Sequence, residues 1–172
     1  MNTDMQKTSV QSIIQALNHH RVQYLIAGGL AVVAHGYTRF TADLDLLLSV
    51  DSPNLQSAIA ALQSLGYQPR APVRFEDFAN AANRQRWIAE KNMIVFSLWS
   101  PNHPATEIDL FVEPPVEFPA AFARRLDLEI APGLTAHFCG FEDLIAMKTK
   151  AGRPRDQEDI AKLLRIKSEP NP

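Results

Sequence analysis

The chain has 172 residues, 46% of them hydrophobic and 21% charged, with a formal net charge of −2. That length fits one domain and buries a real core without staples, and the composition is that of a globular rather than a disordered chain. The near-neutral balance removes any global electrostatic case for nucleic acid, and a single cysteine, Cys139, excludes an intrachain disulfide framework or a multi-cysteine zinc site.

Taken in chain order, Met1–Ser9 is polar and lacks an apolar signal core, and no apolar run is long enough to span a bilayer. A cytoplasmic protein with no membrane partner is expected. Ser9 stands where it would cap a first helix carrying Val10, Ile13, Ile14 and Leu17 at helical spacing. Val22–Ala27 reads as a strand, broken by Gly28-Gly29. Leu30–His35 then reads as a short buried helix stopped by Gly36. Asp43–Val50 is a second strand. Ser52 and Pro53 open a helix with Leu55, Ala58, Ile59, Leu62 and Leu65 on one face and Gly66 at its end. Phe75–Glu90 is polar, anchored by Phe78 and Trp87, and reads as one helix. Met93–Trp99 and Ala105–Val112, joined by a tight polar link, predict an antiparallel hairpin. Phe118–Arg125 is a short helix, and Leu126–Ile130 and Leu134–Phe138 flank the turn Pro132-Gly133 as a second hairpin. Phe141, Leu144, Ile145 and Lys148 share a helical face, and a last helix starts at Pro154 with Ile160, Leu163 and Leu164 as its stripe. This order predicts an α+β fold, a small twisted mixed sheet flanked by helices, in one domain over residues 1–172 with a frayed tail at 168–172.

The chemistry concentrates in few residues. Asp43 and Asp45, two apart in a strand, project to one face, with Cα atoms roughly 7 Å apart, while Leu44, Leu46 and Leu48 face the core. Carboxylates beside an apolar strand are costly unless a cation compensates them. Mg²⁺ is the natural candidate and usually brings a phosphate. A second acidic strand, Thr106-Glu107-Ile108-Asp109-Leu110-Phe111, would complete a three-carboxylate cluster through Asp109 if it lay beside the first. Such a cluster suits phosphoryl or nucleotidyl transfer through two metal ions. Gly28-Gly29 between a strand and a helix brings bare N–H groups to a helix start, a phosphate-binding arrangement. It is neither a P-loop nor a dinucleotide fingerprint. Lys148 closes an apolar stripe and Asp156 lies one turn before Ile160, so both point inward and must be compensated by each other or by a ligand. Asp156 or Asp159 is expected to orient Lys148 or Arg155.

Together, Gly28-Gly29, Arg39-x-Thr41-x-Asp43-x-Asp45, Glu107-Ile108-Asp109 and Lys148-x-x-Ala151-x-Arg153-x-Arg155-Asp156-x-x-Asp159 resemble the nucleotidyltransferase (polymerase-beta-like) superfamily. Within it, they resemble most the AbiEii/MenT-type toxins of type IV toxin–antitoxin systems. The resemblance spans roughly Tyr24 to Leu164. It implies the nucleotidyltransferase fold and a Mg²⁺-dependent enzyme that moves a nucleoside monophosphate from an NTP to a hydroxyl and releases pyrophosphate. By the same resemblance Asp43, Asp45 and Asp109 bind Mg²⁺, Gly28, Gly29, Arg39, Thr41, Lys148 and Arg155 meet the nucleotide, and Asp156 and Asp159 support them. The implied acceptor is a tRNA 3′ end, with a cognate antitoxin as partner. A protein side chain or a small molecule is the alternative, since aminoglycoside and lincosamide resistance enzymes share the Asp-x-Asp core. A non-catalytic nucleotide- or partner-binding member is the rival of another class. Two departures stand out: Gly-Gly replaces the frequent Gly-Ser, and Arg155-Asp156 the frequent Lys-Asp, which keeps charge but not geometry.

Each feature also has a plainer reading. Gly28-Gly29 alone marks a tight turn, Arg39 an ion pair, and Asp156 and Asp159 compensation at a helix start. His35 and His19-His20 read as packing and solvated helix-end residues, and Cys139 as a buried small residue. Arg70, Arg74, Arg84, Arg86, Trp87 and Lys91 read as a solvated face, or as the best candidate surface for an RNA end.

Overall fold

The computed structural model describes residues 2–169. Its seven strands form one mixed sheet in the order β3-β4-β5-β2-β1-β7-β6. The strands are β1 (Tyr24–Ile26), β2 (Leu44–Leu48), β3 (Gln68–Pro69), β4 (Val95–Trp99), β5 (Ile108–Phe111), β6 (Leu126–Ala131) and β7 (Leu134–Phe138). The helices are α1 (Asn2–His19), α2 (Gly28–Ala34), α3 (Ser52–Ser64), α4 (Ala81–Lys91), α5 (Phe118–Ala123), α6 (Phe141–Ala151) and α7 (Pro154–Ser168). The mixed α+β architecture is the expected one, and both hairpins, β4–β5 and β6–β7, are antiparallel.

The pairing that matters most is β2 with β5. It is parallel, and its register sets Leu44 against Ile108, Asp45 against Asp109 and Leu46 against Leu110. Alternation then sorts the side chains. Leu44, Leu46, Leu48, Ile108 and Leu110 enter the main core with Ile13, Ile14 and Leu17 of α1 and Leu55 and Leu62 of α3. On the opposite face, Leu47 packs with Leu25, Ala27, Phe118, Ala121 and Cys139. The face that carries Asp45 is therefore apolar two residues further on, and the carboxylates stand where that second cover ends.

Two expectations are corrected. The first helix begins at Asn2, not at Ser9. Ser9 lies buried within it and its hydroxyl meets Nδ1 of His103, so it fastens the helix sideways instead of capping it. The stretch 75–90 is two elements, because Asn80 turns extended between a 3₁₀ turn at Phe75–Ala79 and α4, whose first free N–H groups its side chain accepts. The tail expected at 168–172 is helical at Ser168, and 170–172 lie outside the described residues. No described helix is long and apolar enough to cross a membrane.

Candidate active site

Gly28 sits at the β1–α2 junction with φ +58°, a left-handed conformation that disfavours any side chain, and a Cβ there would overlap the Asp45 carboxylate. A Cβ on Gly29 would overlap the Thr41 side chain and lie 3.1 Å from Arg39 Nη1. The glycine pair thus lets the backbone close onto the loop that bears Arg39, Thr41 and Asp43. The Ala27 N–H donates to the Asp45 carbonyl at 2.9 Å and fixes that approach.

Asp45 and Asp109 are nearest neighbours across β2 and β5, as the second acidic strand would require. Ser97 of β4 stands opposite Asp109, and its hydroxyl donates to Asp109 Oδ1 at 2.5 Å. Asp43 precedes β2 and is exposed. Burial pushes the Asp45 carboxyl up to about 6, and the charges of Asp109 and Asp43 act in the same direction against Lys148 and Arg153. Asp43 is also raised, by partial desolvation and then by Asp109 and Glu107. Among the described residues no three acidic or imidazole groups converge tightly enough to cage an ion. The compact three-carboxylate cluster expected from the sequence is therefore not preformed: Asp109 is tied to Ser97 and Asp43 stands at the strand mouth. The donor set still fits Mg²⁺, since it is all carboxylate oxygen and Asp45 lacks the counter-charge that would return it to the ordinary range.

A cleft of about 980 Å³ opens over this pair. Gly28, Asp45 and Asp109 line it together with Lys148, Lys150, Arg153 and Asp156. Lys148 is buried and its ammonium donates to Asp159 at 2.7 Å and Asp156 at 3.2 Å. Two of its three N–H groups are thereby used and one is left over. Arg39 grips Asp159 with Nε and Nη2 at 2.8 and 2.9 Å. Arg153 Nε donates to Asp156 at 2.7 Å. Burial works to raise the Asp156 carboxyl, but the hydrogen bonds from Arg153 and Lys148 outweigh it and hold it below its ordinary value. Asp156 also accepts the Arg153 N–H at 3.2 Å, so it caps α7 and orients a lysine at once.

The remaining expected residues separate. Arg39 is an ion-pair partner of Asp159, as its plainer reading had it. Arg155 stands away from the cleft and donates to the Phe40 carbonyl at 2.8 Å. The guanidinium in the cleft belongs to Arg153, because Pro154 opens α7 and leaves Arg153 extended at the cap. Trp87 is buried with its ring stacked on Phe96, and Arg84 is buried against the Phe78 carbonyl. Arg70 pairs with Glu107 and Arg74 with Asp77. Arg84 and Trp87 are thus internal structure, whereas Arg70, Arg74, Arg86 and Lys91 are exposed. His35 Nε2 meets the Cys139 carbonyl at 2.8 Å, a packing contact, and burial pushes the Cys139 thiol up to about 12. Sequence reasoning missed Ser97, and it quoted Arg153 without assigning it a role.

Over residues 8–168 the chain matches the family described as "Nucleotidyltransferase of unknown function (DUF6036)". No curated protein matches it. Among solved structures, ANT(2")-Ia in complex with adenylyl-2"-tobramycin is 15% identical, with 92% of this chain and 86% of that chain covered and a TM-score of 0.55. The lincosamide antibiotic adenylyltransferase LnuA, lincomycin-bound, is 16% identical, with 90% and 93% covered and a TM-score of 0.57. An antigenic nucleotidyltransferase-like protein from Paracoccidioides brasiliensis is 19% identical, with 95% and 76% covered and a TM-score of 0.57. At these identities the likeness is one of fold.

Proposed function

From the premise that the chain belongs to this nucleotidyltransferase family, we propose that it transfers a nucleoside monophosphate from an NTP to an acceptor hydroxyl with Mg²⁺. The observation that carries this reading is the β2–β5 register, which sets Asp45 beside Asp109 in a cleft that Lys148 and Arg153 also line. Asp43, Asp45 and Asp109 would hold the metal, which when bound supplies charge neutralisation and acidifies the attacking hydroxyl. The acceptor oxygen forms a bond to the α-phosphorus, the bond from that phosphorus to the bridging oxygen breaks, and pyrophosphate leaves with the electron pair. Asp109 is the carboxylate available to take the hydroxyl proton. The leftover N–H of Lys148 and the Arg153 guanidinium are suited to hold the triphosphate, with Asp156 and Asp159 fixing the lysine in place. Gly28, which lines the cleft, would shape its phosphate side, with Gly29 packed against Thr41 beside it.

For the acceptor, the cleft favours a small molecule. Its lining also includes Met93, Ile94, Val95, Phe111 and Val116 with the carboxylates Glu113 and Glu117, groups that suit a compact neutral or cationic body and repel a polyanion. The two antibiotic enzymes of the same fold, seen with adenylyl-2"-tobramycin and with lincomycin, support this choice. The tRNA 3′ end, the toxin role and the cognate antitoxin implied by the AbiEii/MenT-type resemblance form the rival reading. The test is incubation with Mg²⁺ and each α-labelled NTP, with tobramycin, lincomycin or bulk tRNA present in turn. Label on a small acceptor supports the proposal, and label on tRNA selects the toxin reading. Mg²⁺-dependent NTP binding without transfer selects the binding-only member. Transfer that survives Asp43→Ala/Asp45→Ala overturns the mechanism.

A further inference from the structure

Ser97, Asp109 and Asp45 form one row across β4, β5 and β2, on one face of the sheet. The two carboxylates repel one another, and a free aspartate in that place would turn away from its neighbour or exchange its two oxygens by rotation. In the folded chain Ser97 Oγ–H donates to Asp109 Oδ1 at 2.5 Å, at the short end of charge-assisted hydroxyl–carboxylate bonds, a contact that opposes both motions. Ser97 is itself held in place. Phe96 and Leu98 on either side are buried in the core, and its carbonyl accepts the Arg70 N–H at 3.0 Å.

We infer that Ser97 is a positioning residue, which fixes the side-chain angle of Asp109 and leaves Oδ2 as the oxygen free for a metal ion or for the acceptor's proton. The inference rests on the proposed nucleotidyl transfer, in which Asp109 is the third carboxylate. A carboxylate whose orientation is set before the ion arrives binds without spending rotamer entropy, and such outer partners are worth about 10–100-fold in metal affinity or activity.

The experiment compares Ser97→Ala, Ser97→Thr, Ser97→Cys and Asp109→Asn in the full chain. Mn²⁺ binding without nucleotide is followed by titration calorimetry, and label transfer is followed with kcat and the NTP KM separated. Ser97→Ala is expected to weaken Mn²⁺ binding or kcat by about 10–100-fold with the NTP KM unchanged. Ser97→Thr, which keeps the hydroxyl, restores both. Ser97→Cys, which keeps the volume but donates weakly, follows the alanine variant and serves in its place if that variant does not fold. Wild-type Mn²⁺ affinity and kcat in both donor-deficient variants, with Asp109→Asn inactive, overturn the role of Ser97 and leave the proposed function standing. Full Mn²⁺ binding and transfer in Asp109→Asn overturn the proposed function itself. A fall that Ser97→Thr does not rescue assigns the effect to packing and refutes the hydroxyl's role.

Discussion

Replacing Asp45 by asparagine should stabilise the metal-free protein while abolishing transfer. Burial, Asp109 and Asp43 raise the Asp45 carboxyl from the ordinary value to about 6 in the folded chain. An acid whose folded pKa lies above its unfolded one binds more protons folded than unfolded, so its ionisation works against folding. The penalty is complete above pH 6 and gone below the unfolded value near 4. Two pH units correspond to about 3 kcal/mol, and the partial solvent access of this side chain discounts that to about 1–2 kcal/mol. Asparagine has the same shape and no charge. For a chain of this size the gain corresponds to a melting temperature roughly 2–8 °C higher. The assay is thermal unfolding of both proteins in EDTA at pH 7.5 and again at pH 4.5. Asp45→Asn should melt higher at pH 7.5, and the gap should narrow at pH 4.5. Added Mg²⁺ should raise the wild type and leave the variant unmoved. A variant that melts lower than wild type at pH 7.5 in EDTA, or a gap that does not change with pH, refutes the claim that Asp45 is a stored electrostatic cost.

Three further outcomes follow from the same geometry. Gly28→Ala puts a Cβ into the Asp45 carboxylate at a left-handed position. It should lower stability by about 1–2 kcal/mol and eliminate transfer, read by urea unfolding and the label assay. Lys148→Met strands part of two buried aspartates, but Arg39 and Arg153 still hold them. The loss should be about 2 kcal/mol, below the 3–5 kcal/mol of a fully orphaned buried charge, with NTP affinity falling in a filter-binding assay. Trp87→Ala empties a core position stacked on Phe96 and should cost about 3–5 kcal/mol, while Trp87→Phe should fold and leave the KM of every acceptor unchanged.

What the sequence made legible follows periodicity and cost. The alternation of Leu44, Leu46 and Leu48 against Asp43 and Asp45 identified both the strand and its two faces, since a carboxylate cannot share the core face without a partner. Leu47 escaped that pattern. It lies on the carboxylate face yet is buried, because α5 covers the far end of the same face, and no local spacing announces where a cover stops. Within the stretch 70–91, which is otherwise the exposed face expected, Arg84 and Trp87 were misread for a related reason. Arg84, Trp87 and Ile88 fall at helical spacing and form the inward face of α4, but counting charges hid a stripe in which one of the three members is a buried arginine.

The last block shows how far residue type alone can go. An inward Lys148 and an inward Asp156 demanded compensation, and that argument led to a network that joins Arg39 to Asp159 across 120 positions of sequence. It assigned the phosphate-side role to Arg155 and none to Arg153, although a helix signal that separates them was present. Pro154 at the first helical position makes Arg153 the cap and Asp156 the third residue, and in that geometry the cap side chain turns back over the first turn. Arg155, inside the helix, points to the Phe40 loop instead. Ser97 carried no such signal. Its significance is a matter of strand register, which two hairpin partners decide together, so a serine opposite a carboxylate reads like any other serine until β4 is laid against β5. The costly groups of this site are legible because burying them has consequences that composition must answer; the residues that aim them are cheap and emerge only from pairing.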